Sequence, residues 1–203
     1  MMRALLKTGE RTGRFLTSAL TWQPRDREYA MVAWALVAGA VWSTIGLSGG
    51  SIEEAVAGLY LLFVLSAVCA IDARYGIIPN SIVVGLAGGG IAQVAFGDSA
   101  AITTRLIEAV LVLVAAYLFR TLYRCLRGFD GLGLGDVKFL GASVLWVGAE
   151  GVPVLLLVSV CSAVASLAIL KLNGEELHGQ RAISFGPHLA VGVWWVWAGS
   201  PFQ

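Results

Sequence analysis

The sequence predicts an all-α polytopic membrane protein with about six to seven transmembrane helices. Three observations carry this expectation. The 203 residues are 58% hydrophobic and only 13% charged, where a soluble domain has about 25% charged and 45–50% apolar residues. Mean hydropathy is +0.80. The apolar residues also gather into separate runs, several near the roughly 20 residues that a helix needs to cross a hydrocarbon core. A net charge of +1 by itself says nothing about partners. Membrane lipid is the expected surrounding, and no nucleic acid is expected.

Seven candidate spans follow in order, at 30–48, 54–71, 81–97, 102–121, 137–149, 152–170 and 187–200. The fifth covers only 13 residues, so it reads as a tilted or partly re-entrant helix. No cleavable signal peptide is expected, because the first apolar run begins near Tyr29 and is long enough to span. Residues 1–29 form a basic cytoplasmic segment, and 30–203 a single transmembrane domain. In the segment, Arg3, Lys7, Arg11 and Arg14 recur at helical spacing beside Leu5, Leu6, Phe15, Leu16 and Leu20. It is either an interfacial helix on anionic lipid or a solvated tail; Gly9 and Gly13 weaken the helix.

Lys and Arg set the orientation. With a cytoplasmic N-terminus, alternation puts Arg74, then Arg120, Arg124, Arg127 and Lys138, then Lys171 and Arg181 on the cytoplasmic side, with the six basic residues of the lead. Of the 14 basic residues only Arg105 falls outside, one turn from Glu108 as a prospective partner.

That orientation brings two aspartates to one face. Asp72 ends the second span and opens IDARYGIIPN; Asp136 closes GLGLGD and opens the fifth span. Ionisable residues at membrane depth are costly and mark function. Two carboxylates able to share one proton are the chemistry of aspartic proteolysis.

The neighbouring motifs are individually weak. Gly131, Gly133 and Gly135 read either as an ordinary glycine-rich loop before a helix, the reading the glycines alone favour, or as a turn that lets a substrate backbone approach Asp136; the spacing is not that of a dinucleotide or phosphate loop. In IIPN, Pro79 resets the chain and Asn80 is expected to cap the third span. Gly186-Pro187 starts the last span. Gly85 and Gly89 offer a small-residue face for helix packing. Trp194, Trp195 and Trp197 suit an interfacial belt. Cys69, Cys125 and Cys161 make no C-x-x-C pair and are expected to be packing residues. His188 and His178 have no partners at metal spacing, so neither a metal nor an organic cofactor is expected.

In this order and topology, Asp72 with IIPN, then GLGLGDVK, then FGPHLA resembles the type IV prepilin peptidase family of GxGD membrane aspartyl proteases. The resemblance covers roughly residues 54–200. It implies that Asp72 and Asp136 are the catalytic pair. Gly133, Gly135 and Lys138 match the second motif, Gly186 and Pro187 the third, and Pro79 and Asn80 shape the site. It implies an endopeptidase of the prokaryotic inner membrane, with its site at the cytoplasmic face. The implied substrates are prepilins, pseudopilins or preflagellins, whose short basic leader precedes a hydrophobic helix. Larger members carry paired C-x-x-C motifs and N-methylate the new amino terminus; this sequence resembles the shorter, peptidase-only members. Ser184 and His188 stand where many members have Pro and an aromatic residue. The acidic residues Asp130, Glu175 and Glu176 are candidates for holding a basic leader.

Two other classes compete. A presenilin-like protease shares the glycine–Asp motif, and IIPN after Asp72 argues against it. A small proton-relay carrier would use the same carboxylates, but no inverted repeat is visible. The orientation makes a prediction of its own. A cysteine introduced in 128–134 should react only with reagents that reach the cytoplasm, and one at Ser99 should label from outside. The reverse pattern would put both aspartates on the wrong face.

Overall fold

The computed structural model describes residues 52–172, with side chains as far as 168, and residues 184–199. The expected span 30–48, the segment 1–29, the Lys171 side chain and the loop residues Glu175, Glu176, His178 and Arg181 lie outside the described residues. The described residues form helices α1 (Ile52–Tyr75), α2 (Asn80–Gly97), α3 (Ile102–Arg127), α4 (Leu134–Leu172) and α5 (Gly186–Gly199). A single 3-10 turn, Ser99–Ala101, links α2 to α3. Among the described residues, four stretches are long and apolar enough to cross a membrane: α1, α2, Ser99–Arg127 and Leu134–Ala168. The chain is thus an integral membrane protein built of helices.

Local chemistry sets the helix ends. Glu53 and Glu54 occupy the first turn of α1 and Arg74 its last, matching the helix dipole. Gly76 stops α1 at φ 66°, and its N–H donates to the Asp72 carbonyl at 2.7 Å. Gly128, at φ 78°, ends α3 in the same way. Left-handed glycines of this kind satisfy the last carbonyls of a helix.

α4 is two helices joined at Gly148, whose φ of 70° and ψ of 166° are not helical. The packing pairs show that the chain turns back there. In 134–147, Lys138 meets Asn80 and Leu145 meets Gly90, so this limb runs parallel to α2. In 149–172, Gly151 meets Val196 and Ser162 meets His188, so this limb runs antiparallel to α5. α1 is antiparallel to α5, with Gly58 against Trp197 and Asp72 against Gly186. It is also antiparallel to α2, with Tyr60 on Gly85 and Gly89. α2 and α5 therefore share a direction, and the two limbs of α4 oppose each other. The expected break between the fifth and sixth spans falls at Gly148, earlier than 150–151.

The turn at Gly148 is held by charge. Arg105 contacts Glu108 at 3.3 Å and Glu150 at 3.2 Å, and Glu108 accepts from the Ala149 N–H at 3.1 Å. The expected Arg105–Glu108 pair is present, and Glu150 joins it. The short limb 134–147 is neither lipid-facing nor at the edge. Every residue from 139 to 148 is buried. At 1.5 Å per residue it is about 21 Å long, short of a core of about 30 Å. It needs no more, because protein rather than lipid surrounds it. α3 is its opposite: it has no buried residue, and Leu111, Leu118 and Phe119 face outward.

Close approach at α2 depends on missing side chains. A Cβ on Gly89 would sit 2.7 Å from Trp146 Cζ2 and would also strike Tyr60; one on Gly90 would sit 2.6 Å from Leu145 Cβ. Trp146 Nε1 donates to the Leu86 carbonyl at 2.7 Å. The small face of α2 thus packs closely, as the Gly85–Gly89 spacing predicts, although Gly88 meets nothing. The tryptophans depart from the expected belt. Trp194 is buried, and Trp197 packs on it at 5.4 Å and donates to Gln93 at 3.0 Å; only Trp195 of the three faces outward. Gly58 leaves room for the Trp197 ring, which lies where a Cβ at that position would stand. Cys69 packs beside the core, whereas Cys125 and Cys161 are exposed, because their helix faces meet no partner among the described residues.

Gly88 and Gly89 make a matched pair for test. Gly88→Ala should be neutral or stabilising by about 0.5–1 kcal/mol, the helix-propensity gain. Gly89→Ala should destabilise by about 1–3 kcal/mol through overpacking. Thermal unfolding in detergent reads both.

Candidate active site

One end of the bundle collects the motifs; Arg105 and Gly148 lie at the other. Asp72, in the last turn of α1, is only 5% exposed. Its Oδ2 accepts the Gly186 N–H at 2.8 Å and the Ser184 hydroxyl. Gly186 is the first residue of α5, so its N–H has no partner within that helix. Asp72 therefore closes the N-terminus of α5 from a different helix. A Cβ on Gly186 would lie 2.8 Å from the Asp72 Cγ, so only glycine lets the carboxylate so near. Pro187, the second residue of α5, is buried and has no N–H to leave unsatisfied.

Asp136 sits in the first turn of α4, half-buried. The Gly133 backbone turns its N–H toward the Asp136 carboxylate, and a Cβ on Gly133 would lie 2.9 Å from Oδ2. Asp136 lies within Coulombic reach of Asp72. The two carboxylates, 64 positions apart in sequence, thus come to the same end of the bundle.

Two contacts bring them together. After Gly76 the chain runs extended through Pro79, at φ −62° and ψ 140°. Ile78 is buried there, and a Cβ on Gly135 would be 3.2 Å from the Ile78 Cβ. One turn further on, Lys138 Nζ donates to Asn80 Oδ1 at 3.0 Å. The expected cap by Asn80 is absent: Pro79 is the cap residue of α2 and no side chain bonds there. The Pro79 carbonyl accepts from Ile82 and Val83 instead, and the Asn80 side chain turns to Lys138. The structure thus brings Pro79, Asn80, Gly133, Gly135, Lys138, Gly186 and Pro187 around Asp72 and Asp136.

The loop before Asp136 is braced from α3. Arg120 Nε donates to the Leu132 carbonyl at 2.8 Å, and Arg120 pairs with Asp130 at 2.8 Å. Arg124 stands 3.7 Å from the same carboxylate. Asp130 therefore braces the loop, with its side chain still 44% exposed. Gly131 lies flat on the Tyr123 ring, where a Cβ would come within 2.6 Å of Cδ1. Sequence reasoning missed Ser184, Ile78 and Arg120 as parts of this site. Of these only Ser184 carried a signal, a hydroxyl beside the Gly-Pro helix start. His188 is buried, with Nδ1 2.9 Å from the Ser162 hydroxyl, and ties α5 to 149–172.

Paired aspartates at one end of packed membrane helices define a candidate aspartyl hydrolase. The family model of the type IV leader peptidase family matches residues 59–169, a stretch that holds both aspartates and stops before Gly186. The chain belongs to that family. It is 30% identical over 162 residues to the prepilin leader peptidase/N-methyltransferase of Burkholderia pseudomallei (strain 1026b), covering 80% of this chain and 50% of the relative. The Stutzerimonas stutzeri protein of the same name is 32% identical over 172 residues, covering 83% and 57%. The Aeromonas hydrophila one is 30% identical over 161 residues, covering 79% and 53%. The chain spans about half the length of these curated relatives. No solved structure matches it.

Proposed function

We propose that this protein is a membrane aspartyl endopeptidase that removes the short basic leader from type IV prepilins, pseudopilins or related substrates. The observation that carries the reading is the meeting of Asp72 and Asp136 at one end of the bundle, inside a family of leader peptidases. One carboxylate takes a proton from water as the water attacks the scissile carbonyl carbon. The other, protonated, gives its proton to the carbonyl oxygen. Residues 30–203 are read as one peptidase domain and 1–29 as its basic cytoplasmic lead.

The site works at the cytoplasmic face of the inner membrane. Arg74, Arg120, Arg124, Arg127 and Lys138 belong to the dyad end, and Arg105 to the other, which is the asymmetry expected of a cytoplasmic site. A substrate helix lies in lipid beside the bundle with its leader in the cytoplasm. Gly133 and Gly135 keep the approach to Asp136 open for its backbone. Lys138 and Asn80 hold the two turns in register, and Gly186 and Pro187 hold α5 against Asp72.

Asp72→Asn and Asp136→Asn should each lower cleavage by about 10²–10⁴-fold, the span of general acid–base contributions, while leaving membrane insertion intact. The assay is the mobility shift of a prepilin incubated with membranes. EDTA should leave the shift unchanged. Wild-type processing by either variant would refute the aspartyl mechanism, and loss in EDTA that a metal restores would replace it with a metal-dependent one.

A further inference from the structure

We propose that the extended segment 76–79 is the docking edge for the scissile stretch of the substrate, which pairs with it backbone to backbone in extended form. The proposal rests on the leader-peptidase reading above and names the surface that presents the peptide to Asp72 and Asp136.

The segment is open along its backbone. Its first N–H, from Gly76, returns to the Asp72 carbonyl, and its last carbonyl, from Pro79, accepts from Ile82 and Val83. Between them, nothing among the described residues bonds the N–H or the C=O of Ile77 or Ile78. Such groups are strong donors and acceptors that take a partner where one is in reach. The loop before Asp136 is more closed, because Arg120 claims its Leu132 carbonyl and the Tyr123 ring covers Gly131.

The side chains fit the same role. In an extended chain successive side chains turn to opposite sides. Ile78 turns inward onto Gly135, and Ile77 turns outward, 60% exposed. Leu134, the residue before Gly135, is 46% exposed. Each of these outward residues adjoins one member of the contact that joins the two motif turns. Ile77 stands five residues past Asp72 and Leu134 two before Asp136, so two apolar side chains flank the seam between the aspartates.

A peptide bond attacked between two carboxylates must lie over the turns that carry them, so the chain on one side of it passes 76–79. A continuous helix would present it poorly, since its carbonyls are already bonded four residues on. Addition of an extended peptide to an open edge meets the need: main-chain bonds give affinity and pockets for alternate side chains give specificity. The substrate residue that faces Ile77 and Leu134 is then apolar, and the start of its hydrophobic helix is unwound at the site.

Cross-linking reads the pairing. The full chain has Cys69, Cys125 and Cys161 replaced, carries Ile77→Cys, and has Asp136→Asn to spare the substrate. It is mildly oxidised in membranes with a prepilin bearing one cysteine at a time around its cleavage site. Disulfides should form at every second position. A spacing of three or four would mean that the substrate docks as a helix, and no link at any position would mean that it docks elsewhere; either overturns the proposal. A second measurement uses the wild-type chain and synthetic prepilin peptides methylated at one backbone nitrogen at a time, the scissile nitrogen excepted. Cleavage should fall by about tenfold, the upper worth of one hydrogen bond, at alternate residues and change little between them. Uniform loss, or no loss, would contradict extended pairing. If the wild type cleaves prepilin and neither alternation appears, the peptidase reading stands and the docking edge falls. If it cleaves no prepilin, both fall.

Discussion

The dyad end of this bundle depends on the seat of Ile78 against Gly135. Asp72 belongs to a helix that ends at Gly76, and Asp136 to a helix that begins after a glycine loop. Nothing in either helix alone directs one carboxylate to the other. The link is made where the extended segment after α1 lays a buried side chain on a residue that has none. A methyl group at 135 would press on Ile78 within 3.2 Å and move the turn that aligns α1 with α4. Lys138 and Asn80 repeat the link with a hydrogen bond one turn on. That bond is exposed, and exposed contacts contribute little on their own, so it secures register more than stability.

The same logic governs the rest of the bundle. Lipid is as apolar as leucine, so apolar residues alone do not drive helices together in a membrane. Association comes from close packing, and close packing here comes from glycine: Gly89 and Gly90 admit Trp146, Gly58 admits Trp197, and Gly141 admits Leu113. Charged contacts are kept for the two ends. Arg105 with Glu108 and Glu150 holds the turn at Gly148, while Ser184 and the Gly186 N–H hold Asp72. Between them the core is Leu61, Leu65, Leu86, Phe139, Leu155 and Val193, all fully buried. The short limb 134–147 runs through this core, which lets its first turn carry an ionisable group without exposing it to hydrocarbon.

Much of this was legible in the sequence. Hydropathy and length located the helices from 54 onward, because a membrane span must satisfy its backbone internally and so leaves a long apolar run. The distribution of Arg and Lys put Asp72 and Asp136 at one level, and packing between the helices agrees. What the sequence concealed was contact geometry. Asn80 looked like a helix cap because its side chain is suited to one, yet Lys138, 58 positions on, claims its oxygen. Trp194 and Trp197 looked interfacial because they lie near the end of the described chain, but Trp194 is buried and Gly58 leaves space for Trp197. The bond from Asp130 to Arg120 was not legible, because the two lie ten residues apart on different elements. The reversal between the fifth and sixth spans was expected at 150–151; that it turns on Gly148 was not marked, since a single glycine within an apolar run is compatible with a continuous helix.

The account stands or falls on the seating of the two motif turns. Its most direct measurement is a disulfide between Ile78→Cys and Gly135→Cys, in a chain whose Cys69, Cys125 and Cys161 are replaced and which carries a protease site after Asp98. The ideal Cβ separation of 3.2 Å is a few tenths of an ångström below the range of about 3.5–4.5 Å that a disulfide needs. Mild oxidation in native membranes should hold the two cleaved fragments together until reductant is added, and a Gly97→Cys/Gly135→Cys control, with Gly97 in the first fragment and open space around it, should not link. Fragments that separate freely in the 78/135 chain, with both thiols still open to alkylation, would mean that the turns do not meet and that Asp72 and Asp136 are not held as a pair.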